Sequence, residues 1–412
     1  MNSYDVIMKN YDVIIIGGGA AGFMAASFLE QKKVLIIEKN HQLMKKLLIT
    51  GKGRCNLTNN CDMETLLRNI PKNSVFMRSA LTRFTPADTI AFFESSGVPL
   101  KTERGGRVFP VSDRAGDIVS ALRRNCKAEI IVDRAKELII ENNIVKGVKC
   151  GKSSYFAPKI IVATGGMSYP KTGSTGDGYE LAKKAGHSIT AVKPALVPLE
   201  TGEVLGGNYL DLAGLSLKNV RLTLKENNKT LFCDQGEMLF THFGVSGPLV
   251  LSASSYIGNP AECTLHIDFK PALDEKTLDA RILRDFAENK NRQFKNSLSA
   301  LLPEKMISVF VKQSAIEPDK QVNEITKKER RKLLQLFKNF TLNVKAFRPI
   351  DEAVITDGGV SVKEIDPKTM QSKLVEGLYF AGEIIDVTGF TGGFNLQIAF
   401  STAYAAVSAT NC

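Results

Sequence analysis

The stretch that most restricts the fold is "YDVIIIGGGAAGFMAASFLEQKKVLIIEKN", Tyr11 to Asn40. Tyr11 to Ile16 is an apolar, β-branched run that predicts a buried parallel strand. Gly17, Gly19 and Gly22 follow as GxGxxG, and Phe23 to Leu29 continues at helical period. In such a strand–turn–helix unit Gly17 permits the turn and Gly19 lets the backbone approach a pyrophosphate. Gly22 lets the helix close on the strand, and Ala21 stands in the first helical turn, whose N–H groups face the phosphates. A second buried run, Val34 to Ile37, ends on Glu38, at the distance where an acid accepts hydrogen bonds from a ribose diol. A lone GxGxxG says little; two strands and an acid around it predict a dinucleotide-binding core. Lys39 is a further cofactor-side candidate, with a solvated lysine as the alternative.

A second glycine loop lies near the other end of the sequence. "GLYFAGEIIDVTGFTGGFNLQIAF", Gly377 to Phe400, predicts a short buried strand over Leu378 to Ala381, a glycine-rich loop and a helix. A third segment, "KIIVATGG", is a buried strand that breaks on Thr164 and Gly165. These segments have the character of flavoproteins of the glutathione-reductase and fumarate-reductase type, in which FAD lies extended across the sheet. Reduction of the flavin places negative charge on its N1–C2=O edge, which backbone donors at a helix N-terminus stabilise. The first loop is therefore expected to hold the pyrophosphate. Gly392, Gly393, Phe394 and Asn395 are expected to aim the last helix at the flavin, with Gly382, Glu383 and Asp386 near the ribityl and pyrophosphate region. A plain helix cap is the other use of such a loop.

Four separated motifs, "KKLLITGKGRCNLTN" (Lys45 to Asn59), "ATGGMSYPKTGSTGDGYELAKKAGH" (Ala163 to His187), "FTHFGVSGPLVLSAS" (Phe240 to Ser254) and "GFTGGFNLQIAFSTAYAA" (Gly389 to Ala406), occur in the order in which the BaiN/YhiN-like family of bacterial flavoproteins carries them. The chain resembles that family, also described as aminoacetone-oxidase-like, from about residue 11 to 409. The resemblance implies an FAD-dependent oxidoreductase and places Lys46, Gly53, Arg54, Cys55 and Asn56 on the cofactor side. Met44 and Lys52 depart from it, standing where similar sequences commonly have glycine. Tyr169 and Lys171 are further candidates to line the cofactor, unless their loop is only a turn built on Pro170.

The expected fold class is α/β: an FAD-binding Rossmann-like core of the glutathione-reductase/fumarate-reductase type with an inserted β-rich plus helical domain. Pro194 and Pro198 punctuate the exit from the core. Alternation on both sides of "KENNKT" predicts a hairpin, and apolar residues three and four apart from Asp274 onward predict helices. The expected division is 1–193 with 341–412 for the core, 194–270 for a β-rich subdomain and 271–340 for a helical one. The repeated "YDVI" at Tyr4 reads as a frayed extension.

Seven scattered cysteines without CxxC spacing and only four histidines argue against a disulfide framework and against a metal site. Cys55 and Cys61 read as a residue packed beside the flavin and its unpaired neighbour; a redox pair is the alternative. His242 is the histidine chosen for proton transfer, against a structural histidine, and Arg107 an anchor for an anionic substrate or nucleotide phosphate, against a surface salt bridge. No apolar run is long enough to span a bilayer and no leader segment is legible, so membrane contact is not expected and a cytoplasmic location is. The formal charge is +11, with its densest cluster in "KKERRK", Lys327 to Lys332, read as a solvated helix face.

The leading function is hydride transfer from NADH or NADPH through the flavin to a small unsaturated or carbonyl substrate. A flavin-dependent oxidase of a small amine, or an RNA-binding or flavin-sensing protein, are the alternatives. The partner expected is a small-molecule substrate, with nucleic acid not expected and the oligomeric state open.

Overall fold

A computed structural model describes residues 10–151 and 153–410; the Tyr4 repeat and Cys412 lie outside the described residues. The chain forms two compact units, residues up to Ala195 together with those from Ile350 onward, and Leu196–Pro349. The first unit is built on five parallel strands in the order Leu378–Phe380, Lys159–Val162, Val13–Ile16, Val34–Glu38, Glu129–Val132. Their side chains carry no alternation because helices cover the sheet: Val13 to Ile16 are all buried, and the helices Ala20–Ser27 and Phe394–Thr410 pack on one another. The core is mixed α/β and Rossmann-like, as its first thirty residues predict.

Register decides where the loops fall. Ile16 pairs level with Ile37 and with Val162, and Val162 with Phe380. Gly17, Glu38, Ala163–Thr164 and Ala381–Glu383 therefore emerge at the same edge of the sheet, the carboxyl edge where open α/β sheets bind ligands. A small antiparallel sheet, Thr58–Asn59, Arg107–Pro110 and Leu100–Glu103, belongs to the same unit.

The second unit is a closed six-stranded barrel with the strand order Leu199–Thr201, Gly244–Ser246, Lys229–Phe240, Ser216–Glu226, Cys263–Asp268, Phe340–Phe347. Its long hairpin turns on Asn227 and Asn228, both at positive φ, the two-residue geometry that matches strand twist. Between the last two barrel strands run the helices Glu275–Glu288, Glu304–Ser314 and Lys327–Lys338. Leu278, Ile282, Phe310, Leu333 and Phe337 share one core with Leu222, Leu265 and Ile267. The helical segment thus shares a core with the barrel where the sequence pattern suggests a separate subdomain. Residues 341–347, assigned from sequence to the returning nucleotide-binding core, instead complete the barrel through pairs such as Leu265–Leu342, and the first unit resumes at Ile350. Alternation alone says that Phe340–Phe347 is a strand but not in which sheet it pairs. No helix among the described residues is long and apolar enough to cross a membrane.

Candidate functional site

Around the first glycine loop, every glycine has its own reason. Gly17 lies at φ +110, and a Cβ there would stand 2.5 Å from the Ala163 carbonyl oxygen. A Cβ on Gly22 would stand 2.0 Å from the Gly17 carbonyl oxygen, so the helix can seat on its strand only without a side chain there. At Gly19 the same construction meets nothing within 4 Å. Gly19 also caps the helix with no side-chain hydrogen bond, so open space faces its first N–H groups. Ala21 is buried beneath them, its Cβ 3.0 Å from where one on Gly382 would lie. Glu38 is oriented by backbone donors: Gly18 N–H donates to Oε2 (2.8 Å) and Asn40 N–H to Oε1 (2.9 Å). Asn40 Nδ2 also donates to Oε1 (2.9 Å), so it is Oε2 that keeps a lone pair for a further donor.

The second loop is held by amide side chains. Asn395 Nδ2 donates to the carbonyls of Gly389 (2.8 Å) and Phe390 (3.2 Å), its Oδ1 accepts from Gly389 N–H, and Asn59 Nδ2 donates to the Gly392 carbonyl (3.0 Å). Gly392 and Gly393 have φ +124 and +100. A Cβ on Gly393 would lie 2.3 Å from the Thr58 carbonyl oxygen, which clamps this loop to the small sheet. One turn into the helix, buried Gln397 accepts from Thr58 Oγ1 (2.5 Å) and Thr89 Oγ1 (2.8 Å) and donates to the Phe84 carbonyl (3.0 Å). Asn395 thus shapes the loop from inside, and Phe394 is buried in the core.

Several charged candidates prove to be engaged with protein groups. Lys46 Nζ pairs with Glu383 Oε2 at 2.7 Å, and Glu383 Oε1 accepts from Ser168 Oγ and from Thr356 N–H. Lys39 pairs with Asp177 at 2.8 Å. Asp386 is buried and pairs with Lys72 (2.6 Å), which also reaches Asp357 (3.1 Å). Burial opposes the Lys72 charge, but Asp386 and Asp357 outweigh it and hold its pKa above the ordinary lysine value. Arg54 lies over the Phe109 ring, its Nε 2.8 Å from Asp113, with Glu103 on its far nitrogens. Those two hydrogen-bonded carboxylates raise its pKa further. Cys55 is fully buried at φ +60, and burial pushes its thiol up to about 12, so the thiol stays protonated. Cys55 and Cys61 are both free thiols. Gly53 (φ +85) accepts from Ala115 N–H at 2.8 Å. Met44 and Lys52, the two departures from glycine, sit at φ +53 and +59, in the left-handed region where glycine is the easy residue. Tyr169 lies beneath Lys46 Nζ, 5.9 Å from its ring centroid.

Arg107 is exposed and pairs across the small sheet with Asn59, the residue that holds Gly392. Its Nε donates to the Arg104 carbonyl at 3.1 Å, and its terminal nitrogens have no hydrogen bond among the described residues. His242 belongs to the other unit, exposed in the loop after Lys229–Phe240, its ring edge-on to Phe243. Sequence reasoning missed Lys72, Asp357, Ser168, Thr356 and Gln397. Only Gln397 carried a signal, a polar side chain inside an apolar helix; Lys72 meets Asp386, Ser168 and Thr356 meet Glu383, and Asp357 meets Lys72, across gaps in sequence no periodicity reports.

Three buried polar atoms of this unit, Asn56 Oδ1, Thr164 Oγ1 and Tyr179 OH, have no hydrogen-bond partner among the described residues. Burial, then the field of Glu383, Asp386 and Asp357, holds the Tyr179 phenol protonated. A buried polar atom left unpaired costs about 1–3 kcal/mol, so this set suits a polar ligand that pairs with it. With open space at Gly19 and an oriented carboxylate on Glu38, the residues fit a dinucleotide.

Residues 11–409 match the family described as HI0933-like protein Rossmann domain. The chain is 30% identical to the ribosomal RNA dihydrouridine synthase of Escherichia coli, with 97% of each chain covered. It is also 30% identical to the 3-dehydro-bile acid delta(4,6)-reductase of Clostridium scindens, with 91% of each covered. Among solved structures, the 3-ketosteroid delta1-dehydrogenase of Sterolibacterium denitrificans shares the fold at TM-score 0.53 and 14% identity, covering 97% of this chain and 99% of that one.

Proposed function

We propose, since the chain belongs to the HI0933-like Rossmann-domain family and is an FAD-dependent oxidoreductase, that it reduces a carbon–carbon double bond conjugated to a carbonyl group. The observation that carries this reading is chemical. A dihydrouridine synthase and a delta(4,6)-reductase of a 3-oxo substrate differ in substrate size, yet both names describe adding two hydrogens across a C=C bond that a carbonyl polarises. The net change is NAD(P)H plus a proton plus C=C giving NAD(P)+ plus CH–CH: two electrons and two hydrogens in balance. FAD, when bound, supplies the two-electron hydride chemistry at its N5.

The chain's own groups supply the rest. Gly17, Gly19 and Gly22 with the helix behind them take the pyrophosphate, Glu38 the adenosine ribose, and the partnerless Asn56, Thr164 and Tyr179 atoms further polar groups of the cofactor. The carbonyls of Gly389, Phe390 and Gly392 are taken up by asparagine amides, which leaves the N–H groups of residues 391–394 as the polarity offered to an electron-rich flavin edge. Lys46 and Glu383, held by Ser168 and Thr356, act as a rigid support behind the cofactor and not as a direct contact. Arg107, whose terminal nitrogens have no hydrogen bond among the described residues, anchors an anionic group of substrate or donor.

Anaerobic stopped-flow absorbance tests the reading. NADH or NADPH is expected to bleach the yellow protein, and an enone or uridine added next to restore the oxidised spectrum faster than air does. Bleaching by a small amine, with no response to either nucleotide, would replace this reading with an amine oxidase. A Glu38→Ala variant is expected to keep its fold but bind FAD about tenfold more weakly, the cost of a charge-assisted hydrogen bond to the ribose of about 1.5 kcal/mol. Isothermal titration of the apoprotein with FAD reads that change, and unchanged affinity removes the ribose role.

A further inference from the structure

The helix Lys327–Lys338 carries six basic residues and one acid, while acids and bases are balanced over the remainder of its unit. Its inner face is conventional: Leu333, Leu334 and Phe337 are buried, and Thr326 with Glu329 forms a capping box. Three of the charges on or near it are committed inward, Arg330 to Asp279 at 2.7 Å, Lys338 to Asp268 at 2.5 Å and Glu329 to Lys320 at 2.9 Å. The outer face is different. Lys327, Lys328, Arg331 and Lys332 are exposed and form no ion pair or hydrogen bond among the described residues. They stand at spacings of three and four, where like charges repel by about 0.2–0.5 kcal/mol per pair. A face kept only for solubility would mix signs, as most of this unit's surface does.

The same four side chains, with Gln335 and Asn339 further along the helix, line one side of a groove of about 860 Å³ whose other wall is the end of the helix Glu304–Ser314. The four cations fall within six residues, Lys327 to Lys332, about 9 Å at 1.5 Å per residue. No aromatic side chain lines the groove, so it offers nothing for bases to stack on. It offers cations and amide donors, the groups that bind phosphate oxygens and set position on a nucleic acid without reading its sequence.

We infer that this groove is a docking surface for the phosphate backbone of RNA. The inference goes beyond the reductase reading above and stands or falls separately from it. What the sequence reads as a solvated face is here a polyanion site, because the folded helix leaves four neighbouring cations without a partner among the described residues.

The test uses oxidised, FAD-loaded protein and a fluorescein-labelled RNA stem-loop, read by fluorescence anisotropy with no electron donor present. Docking is thus measured apart from reduction, and either can fail alone. With four phosphate contacts, affinity is expected to fall about 50- to 150-fold between 50 and 200 mM salt, and to depend little on sequence. Changing Lys327, Lys328, Arg331 and Lys332 together to Gln is expected to weaken binding at least tenfold at 100 mM salt and flatten the salt dependence, with FAD absorbance and the unfolding midpoint unchanged. A charge-matched control, Gln at Lys218, Arg221, Lys229 and Lys276, is expected to retain most of the affinity. Equal loss in the control would show a mere net-charge effect and overturn the site. No RNA binding by the parent protein, or tighter binding to phosphatidylglycerol vesicles than to RNA, would overturn the partner.

Discussion

A Gly393→Val protein is expected to purify colourless. Gly393 lies at φ +100, where a β-branched residue is strained by about 1–3 kcal/mol, and its Cβ would lie 2.3 Å from the Thr58 carbonyl oxygen and 2.4 Å from the carbonyl carbon. These are backbone atoms of a strand held in the small sheet, so neither neighbour can swing aside. Overpacking of this kind adds about 1–3 kcal/mol. The loop would have to lift away from Thr58, and the Asn59 bond to Gly392 and the Gln397 bond to Thr58 would loosen with it. Flavin content from absorbance, with the thermal midpoint of apoprotein and FAD-supplemented protein, measures both consequences. Full yellow colour at an unchanged midpoint would mean that the loop is neither clamped nor near the flavin.

The second large effect separates two glycines of one motif. Helix propensity alone predicts that Gly22→Ala stabilises by about 1 kcal/mol. The expected result is the opposite, because the new methyl group would stand 2.0 Å from the Gly17 carbonyl oxygen and drive the helix Ala20–Ser27 off its strand. A loss of several kcal/mol and of all bound FAD follows. Gly19→Ala should leave the unfolding of apoprotein unchanged, since its methyl group meets no protein atom within 4 Å, yet weaken FAD at least tenfold by standing where the pyrophosphate approaches. Chemical denaturation of apoprotein beside FAD titration distinguishes the two. If Gly19→Ala bound FAD as tightly as the parent, the open space would not be the phosphate site.

Other contrasts between sequence and structure have the same physical origin. A charge is visible in a sequence, but its partner is not. Glu383 and Asp386 looked alike, two acids after a strand. Glu383 is tied to Lys46 and Ser168, and Asp386 to Lys72, across more than two hundred residues of chain, and Glu383 also to Thr356 across 27. Arg54, Lys39 and Asn395 are likewise spent on protein groups, which makes them supports of the site. Phe340–Phe347 alternates apolar and polar residues, yet its place in the barrel depends on pairing with Cys263–Asp268, across three intervening helices.

What the sequence determined by itself was local: the strand–glycine–helix unit, the acid at the end of the second strand, the hairpin on two asparagines and the second glycine loop. Each is set by backbone sterics and by periodicity within about thirty residues. The tertiary structure alone decided which of the charged side chains are consumed in pairs and which are left over. It clamped Gly393 to Thr58, left buried polar atoms of Asn56, Thr164 and Tyr179 without a hydrogen-bond partner among the described residues, and left four cations of one helix facing a groove. Those outcomes depend on distances between elements remote in the chain, and such distances exist only once the sheet and the barrel have closed.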